Sequence, residues 1–316
     1  MTPQVAAALH QWGWASAQAQ LIAERENAVW KVTQGGQTCA LRFHRPGYRS
    51  AIELQSELHW LTHLADAGLT VPRPVAQPSG DVLGQVGAHP VSLLSWMPGQ
   101  MLGAQGAFSQ GVDPIAVCRQ VGQTMARLHD ACDRWSAPLD FTRPNWRRAA
   151  LVGPDPLWGR FWEHPQLNTE QRDLLQAARV AADAALAQIE DVADQGLIHA
   201  DMLLENLMIE GTSLALIDFD DGAFGFRDFE LATFLLKLEP RPDYPALRAA
   251  LCEGYAVRRH VIGGDLDLFL LLRALTYPGW IAKRLDEPGA IERSHRAIET
   301  ALRHARRWLG TPSRDP

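Results

Sequence analysis

A chain of 316 residues with 47% hydrophobic content is long enough for one large or two modest domains and carries ample apolar material for a packed core. Its formal net charge is −6 and no long basic run occurs, which argues against nucleic acid as the primary partner and hints weakly at a cationic substrate. Four scattered cysteines, no charged-then-apolar leader and no uncharged apolar stretch of about 20 residues point to a cytoplasmic protein without disulfide staples or a membrane span.

Residues 2 to 12 predict a short helix, with Thr2 as cap and Pro3 in the first turn. Two strands, about 28 to 32 and 38 to 43, flank a turn at Gln34-Gly35-Gly36 and form an antiparallel hairpin. Neither a P-loop nor a dinucleotide-binding glycine pattern accompanies them. Ser50-Ala51-Ile52-Glu53 is a capping box opening a helix to about Asp66, stopped by Gly68. Glu57 shares that helix's apolar face with Leu54, Leu58 and Leu61, and a carboxylate there needs a partner. Arg42, near the end of the preceding strand, is the candidate, the alternative being a surface arginine beside a solvated glutamate.

After the extended Val71-Pro72-Arg73-Pro74, two more strands are expected at about 81 to 86 and 91 to 95, and Trp96-Met97-Pro98-Gly99 breaks the pattern. From Asp113-Pro114 onward helical periodicity dominates, beginning with the stripe Val117, Val121, Met125 and Leu128 and ending near His129-Asp130. Residues 133 to 166 lack a regular apolar face and are rich in proline, tryptophan and arginine (Arg143, Arg147, Arg148, Arg160). They read equally as part of an acceptor pocket or as a packing insertion. Asn168-Thr169-Glu170-Gln171 caps a second long helix running to about Glu190. Beyond residue 222 a loop reaches Arg227 and a helix begins at Asp228; three further helices fill 243 to 310, separated by Gly263-Gly264 and Glu287-Pro288-Gly289.

The chemistry concentrates in residues 197 to 222, where His199, Asp201, Asn206, Asp218 and Asp220 stand between short apolar runs that read as strands. With Gly211 and Thr212 at the tip of a hairpin, Asn206 is expected opposite Asp218. An amide oxygen and a carboxylate are hard ligands suited to Mg²⁺, and Asp201 on the entering loop is placed for a base or an aligner of an attacking hydroxyl.

His199-Ala200-Asp201, Asn206 and Ile217-Asp218-Phe219-Asp220 resemble the catalytic loop and metal motif of the aminoglycoside, choline and homoserine phosphotransferase branch of the protein-kinase-like fold. The resemblance covers nearly the whole chain, and Phe43-His44-Arg45-Pro46 and Phe141-Thr142-Arg143-Pro144 look closest to the homoserine-kinase-like and bacterial stress-kinase subgroups. It implies an α+β, two-lobed fold: a small antiparallel β lobe with one helix over residues 1–97, and a large, mainly helical lobe over 98–316. It also implies ATP and Mg²⁺ between the lobes and a small-molecule hydroxyl as acceptor. Asp201 takes the role of base, and Asn206, Asp218 and Asp220 that of metal ligands, Asp220 being readable nearly as well as a cap of the following turn; Arg42, Glu57, Ser95, Met97 and Met208 serve the nucleotide, with Ser95 and Met97 flanking an adenine hinge at a site otherwise readable as a plain turn. Glu26-Asn27-Ala28-Val29-Trp30 resembles the loop over the phosphates, and His199 is expected to be structural. Two positions depart from the family pattern: Arg42 stands where lysine is usual, and Glu230 where aspartate usually supports the catalytic loop, a support Asp228 could also supply. These departures keep open a regulator that binds nucleotide without turnover, and the stress-kinase likeness keeps open a Ser/Thr protein kinase.

Overall fold

The computed structural model describes residues 2–24, 27–259 and 266–310; Glu26 and the expected Gly263-Gly264 separator lie outside the described residues. In chain order the first elements are α1 (Pro3–Gln11), β1 (Gln18–Glu24), β2 (Ala28–Gln34), β3 (Gln37–Phe43), α2 (Ala51–Asp66), β4 (Leu83–Val86), β5 (His89–Ser95) and β6 (Gln100–Met101). Next come β7 (Gly103–Ala104), β8 (Ala107–Phe108), α3 (Pro114–Asp133), β9 (Asn145–Trp146), α4 (Arg148–Val152), α5 (Thr169–Ile189) and β10 (Gln195–Ile198). The remainder holds β11 (Leu207–Glu210), β12 (Ser213–Leu216), β13 (Ala223–Phe226), α6 (Arg227–Leu236), α7 (Tyr244–Ala256), α8 (Leu266–Ala282) and α9 (Ala290–Leu309).

These elements pack into two compact units built from separate stretches: Met1–Leu102, Asp130–Arg143 and Glu205–Asp220 in the first, Gly103–His129, Pro144–Leu204 and Asp221–Pro316 in the second. A single boundary at residue 97 was expected; the chain instead leaves the first unit at Leu102 and re-enters it twice.

The first unit is organised by an antiparallel sheet of order β1-β2-β3-β5-β4. Its core joins Leu9 and Trp12 of the α1 region to Val32, Leu41 and Leu93 of the strands, all buried. α2 starts at the expected capping box: the Ser50 hydroxyl accepts the Glu53 N–H, and the Glu53 carboxylate accepts the Ser50 N–H at 2.9 Å. The hairpin is present as well, with Glu210 opposite Ser213 and Leu207 opposite Leu216, and β6 adds to its other edge. The register corrects one expectation. The Ile217 N–H donates to the Asn206 carbonyl at 3.0 Å, so Asn206 is level with Ile217, and Asp218 lies one residue beyond. A turn of two residues forces this, because pairing Glu210 with Ser213 sets every later pair.

In the second unit β13 pairs antiparallel with β10 and parallel with β9, and α3 and α5 to α9 supply most of the remaining structure. β13 replaces the loop expected from 222 to 227, and β1 is a strand that the pattern did not reveal. β1 is exposed at nearly every position, so it has no alternation to read. The aromatic faces between 144 and 166 are consumed by packing. Trp146 meets Trp158 and Phe229 edge-on, and Trp162 is covered by Phe161 and the Arg179 guanidinium.

Candidate active site

β3 holds Arg42 between β2 and β5, and α2 turns Glu57 inward to meet it: Nη1 lies 2.7 Å from Oε1, both side chains buried. Arg143 Nη1 stands 3.8 Å from the second Glu57 oxygen. Burial alone would raise the Glu57 pKa, but Arg42 and Arg143 outweigh it and hold the carboxyl below its usual range. The Arg42 pKa goes up: Glu57, Asp220 and Asp218 overcome the desolvation that would lower it.

Arg42 Nη2 lies 4.0 Å from an Asp218 oxygen and 3.9 Å from an Asp220 oxygen, is buried, and has no hydrogen-bond partner among the described residues. A buried cationic donor in that state is costly until an acceptor oxygen reaches it. The two carboxylates leave β12 on a strained turn, Asp218 having φ +66° in the left-handed region. Two arginines staple that turn to its own unit. Arg143 Nη2 donates to the carbonyls of Phe219 at 2.9 Å and Asp220 at 2.6 Å, and its Nη1 donates to the Glu53 carbonyl in α2. Arg49 Nη2 donates to the Asp220 carbonyl at 3.1 Å, while the Phe219 ring meets Trp60 edge-on. Burial and the nearby Glu57 push the Asp220 carboxyl up against the pull of the arginines.

These residues fit the expected magnesium and phosphates. Mg²⁺ takes one or two protein oxygens and completes its shell with water and phosphate, a demand that Asp218, Asp220 and the Asn206 amide can meet. Among the described residues no three His, Cys, Asp or Glu side chains converge as a larger ligand set. The unfilled Arg42 donor beside the same carboxylates suits a phosphate oxygen.

Ser95 ends β5 clamped to the extended segment before it: its N–H donates to the Arg73 carbonyl and its hydroxyl accepts the Arg73 N–H, each at 2.8 Å. Met97 follows, and among the described residues its backbone makes no hydrogen bond. Met208 sits half-buried in β11, opposite Ala215 on one side and Met101 on the other.

Asp201 belongs to the second unit, on the loop after β10. Glu230, fully buried in α6, accepts the N–H groups of His199 at 2.6 Å and Ala200 at 3.1 Å. That grip holds Ala200 at φ +68°, a conformation costing a non-glycine residue about 1–2 kcal/mol. Arg227 ties the same loop by donating to the Leu197 carbonyl. The longer Glu230 therefore fills the supporting position itself. Asp228 does not share it; its carboxyl is pushed up to about 7 by burial and by Asp194. His199 is buried, and its Nδ1 accepts the Asp201 N–H at 3.4 Å. Behind Glu230, His129 lies 3.5 Å from its carboxylate and 2.8 Å from the Tyr255 hydroxyl; burial, with Arg227 and Arg259 nearby, keeps this imidazole neutral.

Sequence reasoning missed one group at Asp201: Arg273 of α8, whose Nη2 donates to Asp201 Oδ1 at 2.9 Å. A signal was available, because Arg273 is the single basic residue in LDLFLLLRALTYPGWIA. Arg143 lies in an arginine-rich stretch of the sequence, but its hold on Phe219 and Asp220 depends on folding and has no local mark.

A model of the phosphotransferase enzyme family matches residues 18–264, and the chain belongs to that family. It is a phosphotransferase with a hydroxyl acceptor, in an α+β fold of the protein-kinase-like kind. Homoserine kinase of Chelativorans sp. (strain BNC1) is 28% identical over 301 residues, covering 88% of this chain and 87% of that one. The microcompartment-associated aminopropanol kinase is 26% identical and superposes with a TM-score of 0.82 over 98% of this chain and 97% of that one. An amicoumacin kinase solved with AMP-PNP and Ca²⁺ shares the fold at 17% identity, TM-score 0.70, over 90% and 88% of the two chains. No described helix is long and apolar enough to cross a membrane.

Proposed function

We propose that this chain moves the γ-phosphoryl group of ATP to the hydroxyl of a small amino-bearing molecule, an amino alcohol, an amino acid or an aminoglycoside-like compound, in the cytoplasm. The observation that carries this reading is the buried Arg42, fixed by Glu57 with one donor unfilled beside Asp218 and Asp220. Arg42 grips phosphate oxygens, and Asn206, Asp218 and Asp220 are the metal ligands. When bound, Mg²⁺ neutralises charge on the phosphates. Ser95, Met97 and Met208 contact the nucleoside, Met97 through backbone groups that no other described residue uses. Asp201, held by the loop that Glu230 anchors, accepts or aligns the proton of the acceptor hydroxyl. Catalysis of this kind comes mainly from positioning and charge neutralisation, which suits a site built from arginines and strained turns.

The test is ATP consumption with Mg²⁺ against homoserine, aminopropanol, choline and an aminoglycoside, run beside a thermal-shift series with MgATP. Acceptor-dependent turnover is the expected result. Stabilisation by MgATP with no turnover on any acceptor would replace the enzyme with a nucleotide-binding regulator.

A further inference from the structure

Arg273 is an unlikely residue to meet at the middle of α8. Twelve of the residues around it in that helix are buried, and it is buried with them, at 5% exposure. Its guanidinium lies 4.7 Å from the Tyr277 ring centroid and 5.8 Å from that of Phe229, so its plane is confined by aromatic walls on α8 and α6. One donor, Nη2, reaches Asp201; Nε is buried with no hydrogen-bond partner among the described residues. Stability gives little reason for such an arrangement, since the desolvation of a buried cation can exceed the Coulombic gain from its partner. Asp201 remains 27% exposed at its side chain and would stay solvated without Arg273. The stretch from His199 to Asn206 contains no lysine or arginine, so the cation at Asp201 comes from a helix distant in sequence.

We propose that Arg273 is a positioning residue for the phosphoryl transfer, fixing the rotamer of Asp201 by holding one carboxylate oxygen so that the carboxylate is aimed at the acceptor hydroxyl. The inference rests on Asp201 being the base. A carboxylate free to turn loses the alignment that makes a bound hydroxyl reactive, and misplacement by about 1 Å costs on the order of a hundredfold. The effect belongs to the chemical step and not to nucleotide binding, because Arg273 touches the base and neither Arg42 nor the carboxylates beside it.

The experiment compares wild type with Arg273→Met, Arg273→Gln and Arg273→Lys, using MgATP and the panel acceptor that wild type turns over fastest. Arg273→Met and Arg273→Gln are expected to lower kcat about a hundredfold, with the ATP KM changed less than twofold and the melting temperature equal to or above wild type. Arg273→Lys is expected to recover at least a tenth of wild-type kcat. A kcat within about threefold of wild type in the folded Met and Gln variants, or a loss of kcat that tracks a loss of thermal stability, would overturn the inference and leave the proposed function standing. Absence of transfer by wild type on every acceptor overturns both.

Discussion

At the scale of single residues, the site is a set of charges kept in place at local cost. Replacing Arg42 with Met removes the hydrogen-bonded partner of the buried Glu57 and leaves it only Arg143, 3.8 Å from its second oxygen, so a loss of about 3–5 kcal/mol is expected in urea unfolding. The double variant Arg42→Met/Glu57→Leu should regain most of that stability yet keep an ATP KM raised at least tenfold, because the proposed phosphate grip is gone in both. Asp201→Asn removes the proposed proton acceptor and leaves Arg42 and Glu57 unaltered. Phosphoryl transfer should fall by about 10²–10⁴, with the thermal shift produced by MgATP preserved. Glu230→Ala leaves the buried N–H groups of His199 and Ala200 without their acceptor and releases Ala200 from a strained backbone. A destabilisation of about 2–4 kcal/mol and a drop in kcat are expected together, the first from chemical denaturation and the second from the transfer assay.

At the scale of elements, the site depends on short pieces docked by backbone pairing. β6 is two residues long and reaches β11 only because Gly99 before it adopts φ +95° and lets the chain pass close to Ile209. A Cβ on Gly99 would stand 2.3 Å from the Ile209 carbonyl oxygen, and the backbone there cannot be replaced by a rotamer change. Gly99→Ala is therefore expected to cost roughly 2–3 kcal/mol through strain and overpacking, read as a lower denaturation midpoint at unchanged slope. Because β11 also carries Met208, proposed to contact the nucleoside, the same variant should raise the ATP KM. α2 shows the opposite economy: one helix, set by its own capping box, presents Glu57 to Arg42 and offers its Glu53 carbonyl to Arg143.

At the scale of the whole molecule, buried titratable groups give the stability a calculable dependence on pH. His44, hydrogen-bonded to Ser92 at 2.9 Å, is lowered to about 3 by burial and by Arg42, and His129 is lowered well below its ordinary value. Unfolded, both imidazoles take protons near pH 6.5. Between about pH 6.5 and 3 the unfolded chain thus binds more protons, and stability falls as the solution is acidified. Asp228 acts the other way. Its folded carboxyl titrates near 7, far above its unfolded value, so its contribution is present below about pH 4 and is lost as pH rises through 7. Asp228→Asn should consequently gain stability over wild type as pH is raised from 4 to 7.5, measured as the difference in urea midpoints; an unchanged or shrinking difference would refute the assignment.

What the sequence by itself determined was local. The capping boxes at Ser50 and Asn168 and the two-residue hairpin at Gly211-Thr212 follow from side chains acting on their own neighbours within a turn or two. The pairing of Arg42 with Glu57 was also legible, since a carboxylate on an apolar helix face must find a cation and the preceding strand supplies one. Tertiary structure alone decided the rest. β13 is four residues without alternation and becomes a strand because β10 and β9 offer its backbone partners. Arg143 and Arg273 acquire their targets across intervals of more than 70 residues, at Phe219, Asp220 and Asp201, through distances that no local periodicity encodes. Residue type and spacing say which groups can do the chemistry; only the packed chain says which of them face one another.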